Sequence, residues 1–244
     1  LCADGRHRRI LDLPAGRGQF TDALRRAGHE VTPADINRHR PDYAIADMTA
    51  RLPFDAGSFD AAVCLEGIEH IPDPLLLLGE LVRVLRPGGM LVLSTPNIQS
   101  YYSRLRFLLT GTFYQFNPAE IRDLPPGVPE DRFHISPISY HWLRYFAVYF
   151  GGRITQVRGD RVKKKWLLPL FGLIHLLGRP WSRSLFFSLR AAPWADRNRA
   201  MYDHLNSRAM LLSRTLVVVI EKLPTSPPAA RGSPPAGPAD PRSA

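Results

Sequence analysis

A glycine-containing loop is the first place in the sequence where residue types and spacing could support chemistry. The segment at 12–18 reads Asp-Leu-Pro-Ala-Gly-Arg-Gly and lies between a predicted strand and a predicted helix. Ligands of open α/β sheets bind beyond the carboxyl ends of the strands, and a glycine there lets the backbone approach them closely. Asp35 follows about 17 residues after Gly18, at the end of the next predicted strand. A carboxylate at that place can accept both hydroxyls of a ribose, which favours an adenosine ligand without a 2′-phosphate.

Position 21 distinguishes this loop from a dinucleotide-binding fingerprint. That fingerprint reads G-x-G-x-x-G, and Thr21 stands where its third glycine would be. The sequence therefore disfavours a nicotinamide-dependent oxidoreductase, which we keep as a rival interpretation.

Two histidines could serve as a general base, the role that imidazole fills most often near neutral pH. His70 follows the fourth predicted strand, and His134 lies in a loop that could close over the same site. Each has a structural alternative, because His70 could hold its loop by a hydrogen bond and His134 could be an ordinary loop histidine. Glu66 could touch a ligand or cap a turn. The sequence has no HExxH-like or paired-cysteine spacing, so we expect no metal.

The elements that must position these residues alternate between strand and helix. Periodicity predicts strands at 9–13, 30–36, 43–46, 59–65, 90–95, 153–158 and 215–221, and helices at 19–27, 74–85, 102–109, 138–150 and 198–212. The Arg86-Pro87-Gly88-Gly89 segment is predicted to end the second helix before the fifth strand begins. Residues 117–133 are predicted to form a proline-rich loop. The alternation predicts an α/β domain with a mainly parallel sheet.

With these residues in place, the sequence resembles the class I S-adenosylmethionine-dependent methyltransferases of the small-molecule type (Methyltransferase-11/23-like). The loop at 12–18 is similar to the family's D-L-G-C-G-x-G loop, with Pro14 and Ala15 where the family usually has Gly and Cys. Further blocks follow in the family's order: 31–36 (V-x-G-x-D-I), 46–54 (G-D-A…L-P-F), 59–74 (F-D-x-V…E-H-I-x-D-P), 86–90 (L-K-P-G-G) and 94–97 (S-T-P-N). The resemblance is specific over 9–100 and weaker over 134–158.

The resemblance implies a Rossmann-like sheet of seven mostly parallel strands with helices on both faces, and S-adenosylmethionine as the cofactor. It implies an in-line displacement in which the protein positions the partners and excludes water. Asp35 would bind the ribose, and Asp47 would lie near the adenine amino group. Pro14 lacks a backbone donor and could cost a contact to the methionine part of the cofactor. The implied cofactor residues are Asp12, Pro14, Ala15, Gly16, Gly18, Asp35, Ile36, Asp47, Met48, Leu65 and Glu66.

Charge divides the chain into two unlike halves. Residues 1–100 hold 11 basic and 13 acidic groups, a net charge of −2, whereas residues 101–244 hold 21 and 9, a net charge of +12. The second half is therefore expected to meet something anionic, unless the arginines only reflect genome composition. Basic residues flank an apolar stretch at 166–178 that is about half as long as a bilayer span. This segment could lie on an anionic membrane surface or cover the active site as a cap.

We therefore expect four regions: a cofactor-binding core at 1–158, a basic and apolar helical insertion at 159–212 before the last strand, a final core strand at 213–223, and a disordered tail at 224–244. The chain has two cysteines and shows no signal peptide, so we expect a cytoplasmic protein that could be peripheral at the inner face of the membrane. The acceptor would be an oxygen or nitrogen of a small molecule, a glycan or a lipid-linked compound. The sequence determines neither its identity nor the oligomeric state.

Two further rivals remain at this stage. A nucleic-acid methyltransferase is compatible with the net charge of +10. However, amino-group nucleic-acid methyltransferases carry N/D-P-P-Y/F after the fourth strand, where this chain has Leu65-Glu66-Gly67-Ile68. A methyltransferase-like module that binds without turnover is the other rival.

Overall fold

The computed structural model describes residues 8–117, 133–188 and 194–224. The strands are β1 (Arg9–Asp12), β2 (Glu30–Asp35), β3 (Ala44–Ile45), β4 (Phe59–Leu65), β5 (Leu85–Pro96), β6 (Gly152–Gly159) and β7 (Thr215–Lys222). The helices are α1 (Gln19–Arg26), α2 (Pro74–Val84), α3 (Tyr101–Thr110), α4 (Tyr140–Tyr149), α5 (Leu168–Phe187), α6 (Ala195–Leu205) and α7 (Arg208–Leu212). Short 3₁₀ helices lie at Ile68–His70 and Lys165–Leu167.

The strands form one sheet in the order β3-β2-β1-β4-β5-β7-β6. β1 to β5 run parallel to one another, and β7 is antiparallel to both β5 and β6. The carboxyl ends of β1, β2, β4 and β5 therefore share one edge of the sheet, where their loops can meet around a ligand. The predicted α/β fold with a seven-stranded, mostly parallel sheet is confirmed.

Both faces of the sheet are covered by helices, as the resemblance implied. Successive residues of a strand point to opposite faces. Ile10 packs in a cluster with Leu24 of α1, whereas Leu11 belongs to a larger cluster that includes Leu78 of α2 and Leu143 of α4. All five are buried. This burial on both sides fixes the strand register, and thereby the places where the loops leave the sheet.

The segment at 86–89 differs from its prediction as a separate turn. α2 ends at Val84, close to its predicted end, but β5 begins directly at Leu85. Phe59 pairs with Leu85 and Ala61 with Met90, so the intervening residues form an irregularity inside the β4–β5 ladder. Gly88 has φ +75°, the left-handed region that suits glycine. The glycines thus allow the backbone to form a β-bulge within the strand.

The basic and apolar segment that fitted no simple α/β unit forms α5, a helix of 20 residues. The single helix predicted at 198–212 is wrong, because the chain forms α6 and α7 instead. Ser207 separates them, since its hydroxyl caps α7 by accepting from the N–H of Met210. Across the described ranges, no helix combines the length and hydropathy needed to span a bilayer.

Two predicted features fall on parts of the chain that the structure leaves undescribed. The proline-rich loop at 117–133 lies outside the described residues except at its two ends, and the tail from 225 onward lies wholly outside them.

Candidate active site

The loop at 12–18 is tied to both neighbouring strands. The N–H of Ala15 donates to the carbonyl of Ala34 at 2.9 Å, which joins the loop to β2. The N–H of Gly16 donates to Oδ2 of Asp35 at 2.9 Å, and Oδ1 of the same carboxylate accepts from the N–H of Asn37 at 2.9 Å. Asp35 is buried. Each carboxylate oxygen keeps a second lone pair, so Asp35 can still accept from the hydroxyls of a bound sugar.

Asp12 and Thr21 form a buried pair beneath the loop. The Thr21 hydroxyl donates to Oδ2 of Asp12 at 2.5 Å, and both side chains are enclosed. Burial raises the pKa of Asp12 from its usual value, against the hydrogen bond from Thr21 that lowers it. Thr21 thus holds the first residue of the loop from the position where a dinucleotide-binding protein would have a glycine. The sequence pattern did not assign it this role.

A cavity of about 290 Å³ opens between the loop and the end of β4. Four of the predicted cofactor residues line it together: Asp12, Pro14, Ala15 and Leu65. Three further residues line the same cavity and were missed from the sequence: Arg17, Gln19 and Phe20. They belong to the loop and the start of α1, so their proximity in sequence to Gly18 is a signal that could have identified them.

Gly18 is placed against two side chains that brace the loop from outside. Its φ is +78°, and a Cβ placed there would lie 2.5 Å from Cζ of Arg40 and 2.7 Å from the Tyr43 hydroxyl. The Tyr43 hydroxyl donates to the carbonyl of Gly16 at 3.1 Å, and the Arg40 guanidinium donates to the carbonyl of Arg17 at 2.7 Å. Only glycine fits this position without moving the brace.

The end of β3 brings Asp47 to the same edge of the sheet. The N–H of Ala46 donates to the backbone carbonyl of Asp35 at 3.1 Å. Asp47 is exposed, and its Oδ1 accepts from the N–H and the hydroxyl of Thr49, which lowers the pKa of Asp47. Of the residues flanking these two aspartates, Ile36 is exposed, whereas Met48 packs against the core.

The turn after β4 is fixed by Glu66 and Ser94. The N–H of Glu66 donates to the Ser94 hydroxyl at 3.0 Å, and that hydroxyl donates back to Oε1 of Glu66 at 3.0 Å. Glu66 has φ +50°, so its backbone is strained for a residue with a side chain. A Cβ on Gly67 would lie 2.6 Å from Cδ of Pro14. The Pro14 ring therefore packs directly on this turn.

The two candidate histidines meet although 64 positions separate them. The backbone carbonyl of Glu69 accepts from the N–H groups of Ile135 and Ser136 at 2.9 and 3.0 Å, which attaches the second segment to the turn after β4. Nδ1 of His70 donates to the carbonyl of Phe133 at 3.1 Å. The rings of His70 and His134 then pack edge to face with centroids 4.7 Å apart.

Glu69 lies close to the two imidazoles and is fully buried. Neither its carboxyl nor the adjacent Thr95 hydroxyl makes a hydrogen bond of standard geometry with another described residue. Burial raises the pKa of Glu69 to about 8, and the nearby charge of Glu66 acts in the same direction. Burial and the proximity of His70 lower the pKa of His134.

Glu69, His70 and His134 each offer a ligand atom, and these atoms lie within 4.8 Å of one another. One carboxylate and two imidazoles form a donor set that suits Zn²⁺ and other divalent transition metals. The prediction that no metal is bound used short-range spacing, which cannot detect a group assembled from two distant segments. It remains a prediction.

Comparison with known proteins shows the family to which this chain belongs. A family model described as a methyltransferase domain matches residues 2–145, which is more than half of the chain. The chain belongs to the class I S-adenosylmethionine-dependent methyltransferases. The resemblance inferred from the ordered sequence blocks is thereby confirmed. So is S-adenosylmethionine as the expected cofactor, which sets aside the nicotinamide interpretation.

The curated relatives resemble part of this methyltransferase. It is 36% identical over 106 residues to a ubiquinone biosynthesis O-methyltransferase of Xanthomonas campestris pv. campestris (strain B100), covering 36% of this chain and 43% of the relative. It is 30% identical over 159 residues to the enzyme of the same name from Xylella fastidiosa (strain M23), covering 58% of this chain and 61% of the relative. The match thus spans less than two thirds of either relative.

A solved structure supports the fold over most of the chain. The crystal structure of a SAM-dependent methyltransferase from Archaeoglobus fulgidus aligns with a TM-score of 0.54 at 16% identity, covering 89% of this chain and 87% of that one. At this identity the likeness concerns the fold.

Proposed function

We propose that the protein transfers the methyl group of S-adenosylmethionine to an oxygen of a small-molecule or lipid-linked acceptor. The observation that carries this proposal is the Asp35 carboxylate, fixed by the N–H of Gly16 beside the cavity of the loop at 12–18. The names of the curated relatives favour oxygen over nitrogen as the accepting atom and a small molecule over a nucleic acid.

The residues of the site have separate roles in this proposal. The cofactor supplies an electrophilic methyl group on a sulfonium. Asp35 accepts from the ribose hydroxyls, and the loop residues Pro14 to Gly18 approach the amino-acid part of the cofactor. Asp47 and Met48 border the adenine, while Leu65 and Glu66 close the site from the end of β4. The protein contributes mainly alignment for in-line displacement and exclusion of water.

His134 and His70 are the candidates for removing the proton of an acceptor hydroxyl. Because Nδ1 of His70 donates to the carbonyl of Phe133, its Nε2 carries the lone pair when the ring is neutral. His134 packs on this ring at the same edge of the sheet. A neutral imidazole at this place can accept the proton of an acceptor hydroxyl as a general base.

Calorimetric titration with S-adenosylmethionine tests the cofactor site. Asp35→Asn keeps the size of the side chain but removes the negative charge that strengthens hydrogen bonds from the ribose. We expect the affinity to fall by at least about tenfold, because hydrogen bonds to a charged group contribute about 1.5–3 kcal/mol each. Asp55→Asn is the matched control, since Asp55 is exposed in the loop before β4.

The titration can also refute the proposal. An equal affinity of the Asp35 and Asp55 variants would contradict the assignment of the ribose. A folded protein that gives no heat with S-adenosylmethionine would favour a module without this cofactor. Binding without transfer of a labelled methyl group to any lipid or small-molecule extract would favour a binding module without turnover.

We also propose that the outer face of α5 rests on an anionic membrane surface. Leu173, Leu177 and Trp181 recur every four residues on this face, and Leu177 and Trp181 are 71% and 82% exposed. Lys163, Lys164 and Lys165 precede the helix. The segment at 161–188 has no acidic residue. Apolar side chains beside unopposed basic ones are what an interfacial segment requires.

Flotation with phosphatidylglycerol vesicles tests this surface. We expect binding at low salt that weakens as salt screens the charges, and weaker binding to phosphatidylcholine vesicles. Trp181→Ala should reduce the bound fraction several-fold. Tyr145→Ala is the control, because Tyr145 is an exposed aromatic residue on α4. Equal loss in both variants, or no binding to anionic vesicles, would refute the membrane role.

A further inference from the structure

A second cleft lies along α5, beside the row of Leu173, Leu177 and Trp181. Its volume is about 450 Å³, within the range of small-molecule sites, and it is walled by α3, α5 and the junction of α6 with α7. α5 contributes Ile174, Gly178 and Ser182, which follow one another at four-residue spacing. The row of α5 that lines the cleft therefore neighbours its exposed apolar row.

The polar side chains that the described residues contribute to this cleft are cationic or neutral. Arg104 reaches it from α3, His141 from α4, and His175 and Arg179 from α5. Among the described residues, none that lines the cleft is acidic. The segments at 97–117, 133–149 and 161–188, which supply three of its walls, contain no Asp or Glu. A cleft of this composition favours an anion over a cation.

Arg104 is the central cation of the cleft. Its guanidinium lies over the ring of Tyr101, 5.5 Å from the centroid. Within the described ranges, its side chain makes no hydrogen bond and no ion pair, so its planar array of donors stays available. Tyr101 is fixed in turn, because its ring stacks on Phe171 and its hydroxyl lies 3.0 Å from Nδ1 of His175. The cation is thus held by a preformed aromatic support.

The cleft also has an apolar lining, which indicates the kind of ligand that it suits. This apolar lining includes Leu185, Phe186, Leu205 and Leu211. Gln99 and Tyr101 follow closely after Pro96, the carboxyl end of β5, so the cleft lies toward the edge of the sheet that carries the cofactor loop. An anionic head would meet the arginines while an attached hydrocarbon part would meet the leucines.

We propose that this cleft binds the phosphate or carboxylate group of an amphiphilic ligand, with Arg104 and Arg179 on the anion. That this ligand is the methyl acceptor rests on the proposed function. The binding of an anionic ligand in the cleft does not depend on that function. Arginine suits the role because its rigid fork of N–H donors matches the two oxygens of a carboxylate or phosphate. An acceptor held there would carry an acidic group as well as an apolar part.

Calorimetric titration with decyl phosphate below its micelle concentration, without S-adenosylmethionine, tests the cleft. We expect Arg104→Gln to weaken binding by about tenfold or more, the loss of one charge-assisted contact. Arg106→Gln is the matched control, because Arg106 lies on the same helix outside the cleft and donates to Asn117. Arg179→Gln, at an exposed position, should also weaken binding and does not threaten the fold.

Further probes separate the possible sources of the anion. Inorganic phosphate should bind at least about tenfold more weakly than decyl phosphate, because it lacks the apolar part. If Arg104→Gln also reduces flotation with phosphatidylglycerol vesicles, the cleft takes a lipid headgroup. If flotation is unchanged while decyl phosphate binding falls, the cleft takes a soluble amphiphile. Both results support an anionic amphiphile.

Three results would overturn the proposal. These are no binding of decyl phosphate, equal losses in the Arg104 and Arg106 variants, or equal affinity for inorganic and decyl phosphate. Binding of decyl phosphate without heat from S-adenosylmethionine would support the proposed cleft and contradict the proposed function. Heat from S-adenosylmethionine without binding of decyl phosphate would support the proposed function and contradict the proposed cleft.

Discussion

Replacement of Gly18 by alanine should damage the cofactor loop more than strain alone predicts. Gly18 has φ +78°, and a side chain there costs about 1–2 kcal/mol in any left-handed position. The added methyl group would also meet Cζ of Arg40 at 2.5 Å and the Tyr43 hydroxyl at 2.7 Å. Moving Tyr43 would break its hydrogen bond to the carbonyl of Gly16, which contributes about 1 kcal/mol.

Gly28→Ala isolates the strain from the collision. Gly28 has φ +85°, and a Cβ placed on it meets nothing within 4 Å. We therefore expect the free energy of unfolding to fall by about 1–2 kcal/mol in Gly28→Ala and by about 2–3 kcal/mol in Gly18→Ala, where the lost Tyr43 contact is added. Denaturant titration measures both values.

Affinity for S-adenosylmethionine should separate the two variants further. Gly18→Ala displaces the brace on the loop at 12–18, so we expect binding at least about tenfold weaker. Gly28 ends the turn after α1 at a distance from the cavity lining, so its variant should bind as the unaltered protein does. Equal stability and equal affinity in the two variants would show that Arg40 and Tyr43 do not brace the loop.

Three other perturbations follow from the same geometry. Thr21→Val should lower the free energy of unfolding by about 1–3 kcal/mol, because Oδ2 of buried Asp12 loses its donor, whereas Thr49→Val at the exposed Asp47 should change it little. The pKa of Glu69 is raised to about 8, so the folded state holds a proton that the unfolded state releases near pH 4.5. The free energy of unfolding should therefore fall as the pH rises between these values. Glu69→Gln should flatten this dependence on pH, as measured by urea titration. The expectation that no metal is bound predicts that Zn²⁺ leaves the melting temperature unchanged. A rise that chelator treatment and His134→Ala abolish, and that His39→Ala keeps, would refute it and assign the metal to Glu69, His70 and His134.

Local pattern was sufficient for the core of this methyltransferase. Three signals depend only on residues a few positions apart: the apolar run of β4, the amphipathic spacing of α1 and the turn residue Gly28. The predicted bounds of β4 and α1 agree with the structure to within a few residues. Asp35 could be assigned as well, because the end of a parallel strand places a side chain at a known edge of the sheet. The sequence could also show that acidic residues are absent from 161–188.

Contacts between distant segments required the tertiary structure. The sequence pattern identified Thr21 only by the absence of a glycine. Its hydrogen bond to Asp12 depends on how α1 packs against β1. The single helix predicted at 198–212 failed because Ser207 caps a new helix, a local competition that periodicity does not detect.

The sequence by itself determined the α/β order of elements, the loop at 12–18, the carboxylate of Asp35 and the basic character of the second half. The tertiary structure decided that His134 packs on His70 close to Glu69, and that Arg104 and Arg179 line one cleft. The physical reason is the range of the interactions. Helix and strand periodicity follow from neighbouring residues, whereas the backbone hydrogen bonds from Ile135 and Ser136 to Glu69 join segments more than 60 positions apart.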